Sequence, residues 1–112
     1  MLNKQYRLKK RKEFAYMYRK GDATHTKYLT LVVVPTKMDH ARVGFSVSKK
    51  VGKAYKRNLI KRQLTEIIKT TLPHMNAKYN YIVIAKPGIT ELNFAGIKEE
   101  VLSVLKRSGH YE

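Results

Sequence analysis

SVSKKVGKAYKRNLIKR, residues 46–62, carries seven Lys or Arg side chains and no acid, yet it does not have the pattern of a disordered tail. Val47, Val51 and Ile60 interrupt the charge at spacings typical of ordered structure, and Gly52 marks a turn. Beyond that turn the apolar residues fall into helical period: Ile60, Leu64, Ile67, Ile68 and Thr71 share one face, and Pro73 marks the end. Just upstream, RVGFSVS (42–48) alternates Val43, Phe45 and Val47 with small residues, the period of a strand. The stretch therefore reads as strand, glycine turn, and an amphipathic helix beginning near Tyr55.

Working outward, YLTLVVV (28–34) is β-branched and apolar and is closed by Pro35. Only a polar TKMDH separates it from RVGFSVS, so these two strands read as antiparallel neighbours. YNYIVIA (79–85) is a third strand, ended by Pro87 and Gly88. Residues 1–12 are polar and basic; then Phe14, Met17 and Tyr18 fall at i, i+3, i+4 before Gly21, a short first helix. Asn93 can cap a last helix, whose Phe94, Ile97, Val101, Val104 and Leu105 recur at helical spacing with Gly109 beyond. Helix, strands, helix, strand, helix is the order of an α+β fold, a small sheet with helices packed on it. The 112 residues, 43% of them hydrophobic, suit a single domain over 1–112 with one modest core.

The chain has 24 Lys and Arg against 8 acids, a net charge of +16. Self-repulsion of that size costs stability and points to a polyanionic partner, nucleic acid first. An anionic membrane is the weaker fit, because Trp is absent and no lipidation signal or spanning apolar run occurs. Zero Cys and an N-terminus without a signal-peptide core suit a cytoplasmic protein.

The charge is concentrated in two segments, 1–20 and 42–62, and no acid lies between Asp39 and Glu66. On the helix after Gly52, Arg57, Asn58, Lys61, Arg62, Thr65 and Lys69 occupy an arc of about 140°, mostly opposite the apolar one. These are donors for phosphate and ribose oxygens. Lys49, Lys50 and Lys53 surround Gly52 near the positive end of the helix dipole. A merely solvated helix mixes signs, whereas this one has Glu66 alone. In the first segment Phe14 and Tyr18 share a helix face amid Lys9, Lys10, Arg11, Lys12, Arg19 and Lys20. Such a pair either packs in the core or stacks on bases of single-stranded RNA.

Chemistry on the polypeptide has little support. RNA cleavage by a protein uses positioned His pairs, His with Lys, or clustered carboxylates around a metal. His25, His40, His74 and His110 are scattered, and Glu99–Glu100 is far in sequence from the basic helix. No catalytic residue and no metal ligand is assigned.

From RLKKRKEF and the Gly21 turn, through RVGFSVSKKVGKAYKRNLIKR, to YIVIAKP and the last helix, the chain resembles the protein subunit of bacterial ribonuclease P. The central segment is the most specific part: a strand ending SVSKK, a glycine turn, then a helix opening with Arg-Asn and continuing Ile-Lys-Arg. The resemblance implies a two-layer sandwich, a small mixed sheet of four strands with three helices. It places a short fourth strand near Ala23 to Thr26 and makes the crossover at the signature helix left-handed, against the usual rule. It also implies that Lys49, Lys50, Lys53, Arg57, Asn58, Lys61 and Arg62 face the catalytic RNA. Phe14, Tyr18, Lys10 and Arg11 would then line a cleft for the single-stranded 5′ leader of precursor tRNA. The reaction implied is hydrolysis at the mature tRNA 5′ end, with Mg2+ at the RNA active site, no cofactor on the protein, and no DNA or membrane partner. Leu59 and Thr65 stand where the family usually has Arg or Lys, and Arg, respectively. The composition alone equally permits a ribosomal or RNA-chaperone binding module. A DNA-binding helix-turn-helix fits less well, because the basic helix follows strands.

Overall fold

The computed structural model describes residues 2–111. Its helices are α1 (Arg11–Lys20), α2 (Ala54–Thr71) and α3 (Phe94–Ser108), and its strands β1 (Asp22–His25), β2 (Leu29–Pro35), β3 (Val43–Ser46) and β4 (Tyr79–Ala85). They form one mixed sheet in the order β1-β2-β4-β3. The first two pairings are antiparallel, and β3 runs parallel to β4 with α2 as the crossover between them. The short strand expected near Ala23 to Thr26 is β1, at the edge.

The strands on either side of TKMDH are not neighbours, contrary to the sequence reading. β4 lies between them, and the reason is its composition. Tyr81, Val83 and Ala85 are buried on one face and Ile82 on the other, a two-sided apolar strand that needs a partner along both edges. Residues 29–35 pair with it along its full length. Four-residue β3 takes its other edge, and β4 is joined to the residue before β3 by bonds from Tyr81 N to the Arg42 carbonyl and from Arg42 N to the Asn80 side chain.

One face of the sheet, with Leu29, Leu31, Val33, Val43, Tyr81 and Val83, packs against α2 and α3 to make the main core. The apolar stripe of α2 is buried as its period demands, Ile60, Leu64, Ile67, Ile68 and Thr71. In α3, Asn93 caps through its side chain, which accepts from Gly96 N at 2.9 Å, but Phe94 is 44% exposed rather than core. As the first residue of the helix it precedes the turn that reaches the sheet, where Ile97 is the first side chain buried.

On the opposite face, α1 crosses Val32, Val34 and Ile82 and buries Met17 there. Gly21 ends α1 in an extended, not left-handed, conformation. Its lack of a side chain answers a close approach instead, since a Cβ would strike the side chain of Val32 and the Met17 carbonyl. Among the described residues no helix is long and apolar enough to cross a membrane.

Candidate nucleic-acid interface

The basic segment is held rigid by its few apolar residues. Val47 is buried ahead of a short 3-10 turn, Lys49–Val51, and Val51 is buried as its last residue, while Lys49, Lys50 and Lys53 are exposed. Gly52 then adopts φ 154°, a conformation that side chains rarely take, and turns the chain into α2. No side chain caps the first turn of α2, so its N–H groups stay open beside these lysines.

Along α2, Asn58, Lys61 and Arg62 are exposed, with Lys61 on the flank toward the β3 edge. Arg57 is only half exposed, and its Nε donates to the Gly52 carbonyl at 3.2 Å. It therefore braces the turn as well as presenting charge. Ion pairs among the described residues are Arg42–Glu13 and Lys69–Glu66, and His40 contacts Asp39. None involves Lys49, Lys50, Lys53, Arg57, Lys61 or Arg62, so this strip is not neutralised by the protein's own carboxylates.

The second group lies on α1. The Phe14 ring is half buried over Gly44, whereas Tyr18, one turn on, is 49% exposed with its ring centroid 6.3 Å from that of Phe14. The two open readings of this pair thus separate: Phe14 is partly a core residue, and Tyr18 is a surface ring. Lys10 and Arg11 at the start of the helix are exposed.

Sheet register shows what the pair borders. Gly44, Ile82 and Val32 form one row beneath α1, and Ser46, Ile84 and Thr30 form the next. Glu13 and Tyr16 occupy the flank of α1 toward Val34 and Asn80. At helical spacing, Arg11, Phe14 and Tyr18 lie on the other flank, toward Ser46 and half-buried Ile84. The result is a trough whose floor sets Ile84 between Ser46 and Thr30 and whose wall is aromatic and cationic.

Trough and basic helix are contiguous. A cavity of about 340 Å3 at the β3 edge is lined by Phe14 of α1, by Val43, Gly44 and Phe45, by Lys61 and Thr65 of α2, and by Leu2, Arg7 and Leu8 of the N-terminal segment, which bridges β3 at Val43. Sequence reasoning missed Arg7 and Phe45, because only the tertiary fold brings them to this place. The one usable signal was Phe45 at an edge strand beside the signature turn. A larger hollow of about 670 Å3, lined in part by Leu2, Tyr6, His40 and Pro73, takes only Lys69 from the basic arc of α2.

The histidines have local partners. His25 Nδ1 shares a hydrogen bond with Thr30 Oγ1 at 3.0 Å, and His40 is held by Asp39 and by the Gln5 carbonyl. His74 packs on Tyr111, and His110 on Tyr79 and Tyr81. Among the described residues no three His, Cys, Asp or Glu side chains converge as a metal cage would require.

Comparison with known proteins shows the family. Residues 2–109 match the family described as Ribonuclease P. The ribonuclease P protein component of Geobacillus kaustophilus is 33% identical over 109 residues, 96% of this chain and 90% of that one. The Streptococcus agalactiae counterpart is 34% identical over 111 residues, 96% of this chain and 98% of that one. The solved RNase P protein of Staphylococcus aureus superposes with a TM-score of 0.90 at 33% identity, covering 96% of this chain and 98% of its own. With the family match spanning nearly its whole length, the chain belongs to the ribonuclease P protein family.

Proposed function

We propose that residues 1–112 act as one domain, the protein subunit of ribonuclease P, and assist removal of the 5′ leader from precursor tRNA in the cytoplasm. Lys49, Lys50, Lys53, Arg57, Asn58, Lys61 and Arg62 bind the catalytic RNA of the enzyme. Phe14 and Tyr18, with Lys10 and Arg11, hold the leader. The observation that carries this reading is the cavity shared by Phe14 and Lys61, which makes one continuous surface of an aromatic trough and an unneutralised basic helix.

The protein's contribution is electrostatic and positional. Cations at the junction of two RNAs relieve phosphate repulsion, and a gripped leader adds affinity that mature tRNA lacks. Stacking on exposed rings tolerates varied leader sequences, because every base has a π-face. Hydrolysis and its Mg2+ belong on this reading to the RNA, whose phosphates the protein helps to order.

Reconstitution tests the proposal. The protein mixed with ribonuclease P RNA is expected to stimulate precursor-tRNA cleavage at physiological Mg2+; binding without stimulation would instead favour a ribosomal or RNA-chaperone module. Duplex DNA is not an expected ligand: α2 connects two parallel strands rather than following a helix across a short turn.

A further inference from the structure

Two large apolar side chains stand in water on the helix that carries the basic strip. Tyr55 is 65% exposed and Leu59 43% exposed, four residues apart and hence stacked along one line of α2. The buried stripe around Leu64 is on the far side, so neither residue seats the helix. Among the described residues the Tyr55 ring enters none of the aromatic pairs or cation–ring contacts.

The surroundings limit what could cover this patch. At helical spacing Asn58 and Arg62 border it on one side and Lys56 on the other. The acid on this line of the helix, Glu66, lies two turns beyond Leu59 and is paired with Lys69 at 3.3 Å. A partner must therefore combine negative charge with a flat apolar surface. Duplex backbone supplies only the first, whereas an unpaired nucleotide supplies both.

We propose that Tyr55 stacks on an unpaired base of the ribonuclease P RNA, with Leu59 packed beside it and Arg62 on the adjoining phosphate. The inference rests on the function proposed above and adds to it a base-contacting position outside the leader trough.

The chain contains no Trp, so Tyr55→Trp introduces a single indole whose emission reports stacking directly. Titration with ribonuclease P RNA is expected to quench it. Tyr55→Ala is expected to weaken binding of that RNA about ten-fold, the scale of one lost base stack, without changing the slope of log affinity against log salt. Tyr55→Phe keeps the affinity, and thermal melts of all three match the parent. An unquenched indole, an Ala variant that binds like the parent, or a salt slope that falls with the affinity overturns the proposal. So does indole emission that shifts with protein concentration in the absence of RNA, which makes the patch a self-association surface. If the parent protein itself neither binds the RNA nor stimulates cleavage, the proposed function fails; if it does both while Tyr55→Ala is indifferent, only the stacking assignment does.

Discussion

The Phe14 ring occupies the space that a side chain at residue 44 would need: a Cβ on Gly44 would lie 2.5 Å from ring atom Cζ and 2.9 Å from Cε1. Backbone and ring approach so closely that β3 itself sets the position of the trough wall. Gly44→Ala is expected to cost about 1–3 kcal/mol, the usual penalty of overpacking, and to turn the ring out of place. Discrimination between precursor and mature tRNA should fall with it. Adding Phe14→Leu should recover much of the melting temperature but not the discrimination. Recovery of both would show that the ring does nothing for the leader.

Arg57 and Lys61 are predicted to separate charge from bracing. Lys61 is exposed with no carboxylate partner, so Lys61→Ala should lower the salt slope of RNA binding by roughly one phosphate's share, about 0.7–0.9, with little change in melting. Arg57→Ala should lower the slope similarly and also remove the bond to the Gly52 carbonyl, costing about 1 kcal/mol of stability. Salt-dependent binding isotherms and thermal melts on the two variants check this. An Arg57→Ala protein as stable as the parent would show that the bond does not brace the turn.

The α2 face was legible in sequence because helical period is local: Ile60, Leu64, Ile67, Ile68 and Thr71 lie where their spacing puts them. Strand order was not. A short polar link between 28–34 and 42–48 looks like a hairpin, and only the two-sided burial of β4, a long-range matter, shows why it is inserted between them. DATH (22–25) has no apolar alternation, since as an edge strand it keeps only Thr24 half buried; it was placed through family resemblance. The cavity joining Phe14 to Lys61 depends on residues from α1, β3 and α2 meeting in space, which no spacing in the chain records. Phe14 itself could not be assigned to core or surface beforehand because it belongs to both.

Glu13 and Arg42 tie α1 to the start of β3. Their contact is 2.6 Å, and their side chains are only 28% and 21% exposed. Charge-assisted bonds shielded from water contribute about 1.5–3 kcal/mol, so Glu13→Gln should lower the melting temperature by several degrees and loosen the helix that carries Phe14. Glu66→Gln breaks the Lys69 pair, whose side chains are 61% and 40% exposed, and should change melting little. Calorimetry on both variants makes the comparison. Equal shifts would mean that the Glu13 pair is no better shielded than the surface one.

His110 gives the fold a dependence on mild acid. Its ring packs 4.4 Å from that of Tyr79 and 6.0 Å from that of Tyr81, centroid to centroid, and its Nδ1 is buried without a hydrogen-bond partner. Burial holds its pKa below the ordinary value, with the Asp22 carboxylate opposing in part. The unfolded chain therefore takes up the proton more readily than the folded one. Stability from this group is complete above the unfolded pKa, about 6.5, and declines as pH falls through that value toward the folded pKa. Tyr81 limits the other end: burial raises the pKa of its hydroxyl, which donates to the Asn76 carbonyl at 2.7 Å, so stability should decline again above about pH 10. Thermal melts from pH 5 to 8 should show a slope that His110→Phe reduces, because Phe keeps the ring packing and takes no proton. An unchanged slope in that variant would show that His110 is not the source of the acid sensitivity.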